Sequence, residues 1–368
     1  MKPDNRVAKH AKLLVHYSVG VREKEKVSIM GSTASESLLR EIYKEVLRCG
    51  AHPRVTMQFT DQEYFFYHLS KDYQLEYTDP FTLYEFENND IIISVFPNLN
   101  PHALTSIGSE KKQKFVLSQK PLMDMVFKRW GEGNLRWVGT VCPSPALAQE
   151  AHMSFEEYCE FVFSCMHLNE GNPVDFWRDF SQRQEKLCNQ LNQKKNFQLL
   201  GEDTDLRFCS EGRTWINCDG RNNFPDGEVF TGPIEDSVEG SIRFTYPGIV
   251  HGEEVEDIFL KFEKGKVVKA KASKGQSLLE KMLETDEGAK YVGEIAFGTN
   301  EHINKFTKNI LFDEKMGGTI HLAIGRGLPN SGSQNQSVIH WDMLKNMREG
   351  GKIYADKKLI YKDGQFLI

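Results

Sequence analysis

The feature that most constrains this chain is a change of hydrophobic grammar near residue 195. Before it, short apolar runs alternate with helical stripes. Residues 24–32 read as a strand leaving through a turn, and residues 54–58 supply the next strand. Between them, over 34–48, Leu38, Leu39, Ile42, Tyr43, Val46 and Leu47 recur at the spacing of one apolar helix face. Residues 90–96 and 135–141 are further buried-strand candidates, with a helical segment around 110–128 between them. Unbroken apolar strands separated by helices indicate a parallel sheet. Ser154 and Glu157 form a capping box ahead of the stripe Phe155, Tyr158, Phe161, Val162 and Cys165, and another helix runs from about 173 to 191. Then 197–200, 205–209 and 214–217 alternate with short turns, the signature of antiparallel pairing. A chain of 368 residues has room for two cores. The expected division is 1–195 and 196–368, with no repeat or low-complexity linker to sharpen it.

Several function classes are excluded or disfavoured. No Gly-x-Gly-x-x-Gly and no Gly-x-x-x-x-Gly-Lys-Ser/Thr follows any of the first-half strands, so neither a dinucleotide fingerprint nor a phosphate loop stands where a parallel sheet would use it. With 46 Lys+Arg against 52 Asp+Glu, a net charge of -6, the surface offers little attraction to nucleic acid or anionic lipid. The seven cysteines are scattered and contain no Cys-x-x-Cys pair, which fits reduced thiols in a cytoplasmic protein. Met1 to His10 lacks the apolar region of a secretory signal, and no segment approaches 18 uncharged apolar residues, so neither secretion nor a membrane span is expected.

The chemistry-bearing residues lie in the second half. Glu228 stands between glycine-rich turn residues and Val229-Phe230, at the mouth of a strand; a surface-turn glutamate would read the same way. Glu294 is the lone acidic group of Val292-Gly293-Glu294-Ile295-Ala296-Phe297-Gly298, where a carboxylate needs either an exposed face or a cation. In the strand around His321, Thr319, His321 and Ala323 share one face and Ile320, Leu322 and Ile324 the other. His321 can therefore aim into a pocket, although a hydrogen-bonded structural histidine has the same signature. His340 and Asp342 are two apart and project together from a strand. Two Glu, two His and one Asp are a hard-to-borderline donor set for zinc, cobalt or manganese. Such a set can hold two ions about 3.5–4 Å apart, polarise an acyl oxygen and lower the pKa of a water. Neither a Gly-x-Ser-x-Gly elbow nor His-Glu-x-x-His occurs.

The stretches 227–233, 293–298, 317–325 and His340-Trp341-Asp342, in this order, resemble the thermophilic metalloaminopeptidase family, peptidase family M29 or aminopeptidase T, over nearly the full length. The resemblance implies an α/β N-terminal domain with a parallel sheet beside an α+β C-terminal metal-binding domain with largely antiparallel strands. It also implies a two-metal centre on Glu228, Glu294, His321, His340 and Asp342, and removal of N-terminal residues from short peptides with a free N-terminus. One ion would orient the amine and scissile carbonyl, and Glu294 is the first candidate for a ligand that also handles the proton. The likeness further implies a homodimer. One departure stands out: where the family carries a tyrosine seven residues after the first site histidine, this chain has Leu328. Leucine cannot donate that hydrogen bond; Tyr246, Tyr291 and Arg326 are available donors. The alternatives are a two-metal amidase or peptidase of narrower specificity, and a metal-binding homologue that has lost catalysis.

Overall fold

Strand, helix and strand in the first half assemble as their pattern requires. The computed structural model describes residues 4–96, 100–169, 171–250 and 252–368, so Met1–Pro3 of the N-terminal reading lie outside the described residues. One compact unit comprises Met1–Arg178 and Gly220–Pro225. Its sheet runs His52–Gln58, Lys26–Ser32, Ile91–Phe96, Arg136–Val141, Asn223–Phe224, and all its pairings are parallel. Val27, Ile29, Ile91, Ile93, Val95 and Val138 are buried in it, as expected for strands covered on both faces.

The helix Glu36–Arg48 buries Leu38, Leu39, Ile42 and Val46, but Tyr43 and Leu47, assigned to the same stripe, are exposed. They flank the stripe, so the buried face is narrower than the sequence pattern indicates. The capping box forms: Glu157 N donates to Ser154 Oγ at 3.2 Å and Ser154 N to Glu157 Oε2 at 2.9 Å. The segment read around 110–128 is two helices, Ser109–Ser118 and Lys120–Gly131. Three more, Gln62–Leu69, Asp72–Leu75 and Pro80–Asn88, escaped the sequence reading because they bury little and carry almost no apolar periodicity. At the start, the apolar run Leu13-Leu14-Val15 is buried, with Tyr17 and Ser18, in a wide helical turn, Leu13–Ser18, continuing the helix Asn5–Lys12.

The other unit comprises Asp179–Asp219 and Asp226–Ile368. The grammar change at 195 coincides with the start of the strand Asn196–Gly201. The compact units part earlier, inside the helix Pro173–Leu191, because Cys188 and Leu191 join the second core. An eight-stranded antiparallel sheet carries Leu199, Leu206, Ile242 and Leu260 into that core. A five-stranded antiparallel sheet contributes Ile295, Phe297, Ile320, Leu322, Ile324 and Met343. The order of this second sheet is His340–Asn346, Thr319–Gly325, Val292–Gly298, Glu228–Thr231, Ile216–Cys218. No helix among the described residues is long and apolar enough to cross a membrane.

Candidate metal centre

Register decides which face of the five-stranded sheet is polar. Glu294 pairs with Ala323 and Ala323 with Asp342; Ala296 pairs with His321, Gly298 with Glu228, and Gly325 with His340. Because side chains alternate along a strand, Glu228, Glu294, His321, His340 and Asp342 all stand on one face, while the residues between them enter the apolar core. The small residues Ala296, Gly298, Ala323 and Gly325 lie opposite these side chains, and a Cβ at Gly298 or Gly325 would stand 2.1 Å from the Met316 or 2.2 Å from the Ile339 carbonyl oxygen.

Two glycines make that register possible. Gly227, at φ +132°, delivers Glu228 as the first residue of its strand, and a Cβ there would stand 2.6 Å from Asn300 Cβ. Gly293 sits at an irregularity between Val292 and Glu294, and a Cβ would stand 2.4 Å from the carbonyl oxygens of Gly325 and Arg326. The glycine of each Gly-Glu pair is therefore a backbone requirement, and each glutamate is a candidate ligand.

His321 is wholly buried and central. Its Nε2 lies 3.2 Å from Glu294 Oε1, 3.4 Å from Glu228 Oε2 and 3.9 Å from Asp342 Oδ1. His340 Nε2 lies 3.5 Å from Asp342 Oδ2 and 3.9 Å from Glu294 Oε2. The ring of His340 is oriented from behind: Nδ1 donates to the Arg326 carbonyl at 2.7 Å, leaving Nε2 to face the carboxylates. All five sequence-selected residues are thus brought together. Ligand atoms of Glu228, Glu294 and His321 lie within 4.8 Å of one another, and so do those of Glu294, His340 and Asp342. Glu294 belongs to both groups.

Sequence reading missed the neighbours of this cluster. Glu314 forms a further group with His321 and Asp342, and Cys218 and Asp226 form another with Glu228, each within 4.8 Å. Lys315, at 0 % exposure, ion-pairs with Glu314 and lies 3.7 Å from Glu228 Oε1. The charged run Asp313-Glu314-Lys315 reads as a surface turn. Its only clue is its position between Leu311-Phe312 and Met316, all of which are buried. Asp313 is buried as well, accepting from Thr307 N at 2.7 Å and Thr307 Oγ1 at 2.8 Å.

Electrostatics test whether cations fit. Burial pulls the His321 imidazole down, but the Glu294 hydrogen bond and the charges of Glu228, Asp342 and Glu294 outweigh it and raise it to about 9. The same opposition, won by Asp342 and Glu294, lifts His340 to about 10. For Asp342, burial works upward and His340 chiefly downward, leaving it at about 2. Burial pushes Glu228 well above the usual carboxylate range despite Lys315. Lys315 is itself held well above its ordinary value: burial opposes its charge, and Glu228, Glu314 and Asp226 prevail. The protein thus supplies imidazolium and ammonium groups to balance its clustered carboxylates. Even so, Glu228 Oε2, Asp342 Oδ1 and His321 Nδ1 are buried without a hydrogen-bond partner among the described residues. Unpaired buried acceptors facing imidazole nitrogen fit divalent cations of the zinc, cobalt or manganese kind.

Leu328 is 38 % exposed at the start of the turn Pro329–Ser331. Of the alternative donors, Arg326 is engaged with the Ser337 carbonyl through Nε at 2.9 Å, and Tyr246 stacks on Phe306 with ring centroids 5.1 Å apart.

The chain is similar to proteins named as aminopeptidases. The chain is 28 % identical to aminopeptidase AmpS of Bacillus subtilis over 97 % of each chain. It is 29 % identical to aminopeptidase T of Thermus thermophilus over 56 % of this chain and 55 % of that one. The solved structure of wild-type AmpT from Thermus thermophilus superposes over 99 % of both chains with a TM-score of 0.86 at 22 % identity, a likeness of fold. The family model described as thermophilic metalloprotease (M29) matches residues 3–366, and the chain accordingly belongs to that family of metal-dependent peptidases.

Proposed function

We propose that this protein removes the N-terminal residue of short peptides at a centre of two divalent ions held by Glu228, Glu294, His321, His340 and Asp342. Its enzyme class, metalloaminopeptidase, comes from family membership together with relatives named as aminopeptidases. The observation that carries the two-ion reading is the sharing of Glu294 between two ligand groups, Glu228/Glu294/His321 and Glu294/His340/Asp342. A carboxylate common to both would help hold both ions. When bound, such ions supply Lewis acidity to an acyl oxygen and acidify a water. Zinc is the first choice for this donor set, with cobalt or manganese also suited.

The remaining work falls to the protein. The Arg326 carbonyl fixes the tautomer and direction of His340. Lys315 clamps Glu314 and faces Glu228, holding both carboxylates in place while lying out of reach of solvent. The apolar face of the sheet, locked into the core through Ile320, Leu322 and Ile324, makes the polar face rigid, so the ligands keep their spacing between turnovers. Both Glu294 oxygens face imidazoles, which favours a ligand role for it over proton handling.

Two attributes extend this reading. Leu69, Phe81, Val116 and Leu117 of the first unit are 63–77 % exposed, an apolar surface that supports a homodimer, to be checked by light scattering. All seven cysteines are free, which supports residence in the reducing cytoplasm.

The functional test is metal content together with cleavage of aminoacyl arylamides and dipeptides after loading with zinc, cobalt or manganese, using N-acetylated substrates as controls. Metal-dependent cleavage restricted to free-amine substrates is the expected result. Two bound ions with no turnover across that panel would overturn the reading.

A further inference from the structure

The strand His340–Asn346 is the outer strand of the five-stranded sheet, so one of its edges has no neighbouring strand. Alternation decides which main-chain groups point there. The Ile339 carbonyl accepts from Arg326 N at 2.6 Å on the sheet side, whereas the Leu344 carbonyl accepts from Thr245 N and Tyr246 N, at 3.1 and 3.3 Å, from outside the sheet. Consecutive residues of a strand turn their N–H and C=O groups to opposite edges. His340, Asp342 and Leu344 therefore face outward, while Trp341 and Met343 face the paired strand Thr319–Gly325. Both ends of the outward row are closed: Val338 N donates to Asp286 Oδ2 at 2.8 Å, and the Leu344 carbonyl is occupied as above. Between these ends the N–H and C=O groups of His340 and Asp342, and the Leu344 N–H, have no hydrogen-bond partner among the described residues. The segment Gly248–Val250 meets this strand through the Trp341 ring, which belongs to the core; a Cβ at Gly248 would stand 2.7 Å from Trp341 Cζ2.

We infer that this open stretch of edge receives the main chain of the peptide substrate as an added strand, the substrate's third residue exchanging both N–H···O bonds with Asp342. This rests on the aminopeptidase reading and adds how the peptide beyond its first residue is held. Position is the first reason. The residues with open main-chain groups, His340 and Asp342, are the ones whose side chains reach the centre, and an added strand would lie about 4.8 Å from them. Parity is the second. The first and third residues of an extended peptide turn their polar groups to the same edge, so pairing the third to Asp342 also turns the amine and scissile carbonyl of the first toward the ligands. The third reason is that edges are normally blunted. The outer strand Lys266–Lys271 of the eight-stranded sheet carries exposed Lys266, Lys269 and Lys271. His340–Asn346 has neither proline nor register shift, and its one lysine, Lys345, is buried, donating to the Glu202 and Arg243 carbonyls at 2.9 and 3.0 Å. Main-chain pairing reads no side chain, so it suits peptides of varied sequence, and the closed ends confine the grip to a short stretch.

The test uses the full-length, metal-loaded protein with leucyl-alanyl-alanyl-alanine and two analogues in which an ester oxygen replaces the N–H of the third or of the fourth residue. Release of leucine is followed. The ester at the third residue should lower kcat/KM by about 3- to 10-fold, the worth of one neutral main-chain hydrogen bond. The ester at the fourth, whose N–H points away from the edge, should change it by less than about 1.5-fold. A second readout needs no turnover: amide hydrogen exchange with a tetrapeptide of the same sequence whose first peptide bond is reduced to a methylene-amine. Saturation with it should slow exchange of the Asp342 N–H by about 10-fold or more, while Trp341 and Met343, already bonded within the sheet, change little. Three results overturn the inference: no cost from the ester at the third residue, an equal cost at the third and fourth, and Asp342 exchange unaltered by saturating peptide. Failure of the all-amide peptide to release leucine, with the Asp342 N–H protected by the reduced one, would instead count against the aminopeptidase reading and leave the added strand standing.

Discussion

Loading the centre with metal should be strongly coupled to proton release. In the metal-free protein His321 sits at about 9 and His340 at about 10, so at pH 7 both imidazoles carry a proton on or near the nitrogens that would bind cations. A ligand must be deprotonated to coordinate, and each proton displaced makes apparent affinity rise tenfold per pH unit below the ligand's pKa. Between pH 6.5 and 8.5 the product of the two association constants should therefore climb by about 10⁴, whereas two imidazoles with ordinary values near 6.5 would contribute only about fourfold. For the wholly buried His321, removing the proton at pH 7 weighs about 2.7 kcal/mol against binding. The sign for folding follows. A raised imidazole stabilises the metal-free fold fully below pH 6.5 and loses that contribution as pH rises through about 9, so stripping the metal should destabilise the protein less at pH 6 than at pH 9. Competition against a chelator of known affinity gives the slope, and calorimetry in two buffers of different ionisation enthalpy counts the protons. At least about two protons per pair of ions are expected at pH 7, with His340→Gln lowering the slope by one. Flat affinity over this range, or fewer than one proton released, would refute the reasoning.

Because Glu294 belongs to both ligand groups, Glu294→Ala should strip both ions and lower activity by at least about 10³, whereas His340→Ala should leave one ion bound, as read by elemental analysis of the purified variants. His10, pulled down to about 3 by complete burial, donates from Nε2 to Thr140 Oγ1 at 3.0 Å, whose hydroxyl donates in turn to the Phe224 carbonyl at 2.7 Å. The unfolded chain takes up this proton below pH 6.5 and the folded one does not until about pH 3. Wild type should therefore lose about 2 kcal/mol between pH 7 and pH 5 that His10→Gln does not lose, measured by urea denaturation. Ser154→Ala removes the cap from Glu157 N and should cost about 1 kcal/mol, a shift of roughly 2–4 °C in the melting of a unit this size by calorimetry.

The five proposed ligands could be picked out in the sequence for different reasons. Glu294 and His321 stood out because a charge in an otherwise apolar strand needs a partner, and the alternation around His321 already separated its polar face from the isoleucines now in the core. His340 and Asp342 announced themselves as neighbours on one strand face. Glu228 was harder, since an acidic residue after Asp-Gly is common on surfaces; what distinguishes it is the Gly227 backbone that only the folded strand reveals. Glu314 and Lys315 were illegible: adjacent opposite charges resemble any solvated turn, and nothing local shows that Lys315 would be buried.

By itself, then, the sequence determined the layer types: unbroken apolar strands between helices demanded a parallel sheet, and alternating strands after residue 195 demanded antiparallel pairing. It also determined which face of each strand is polar, because a period of two is a local property. Tertiary structure alone decided which polar faces meet. The alignment of Glu294, Ala323 and Asp342 across three strands, the approach of Glu228 from a fourth, and the burial of Lys315 among them depend on register between separate strands, with Glu228 paired to Gly298 70 residues on. Register is set by long-range packing and by close backbone contacts such as that of Gly293 with Gly325 and Arg326, which no local pattern encodes.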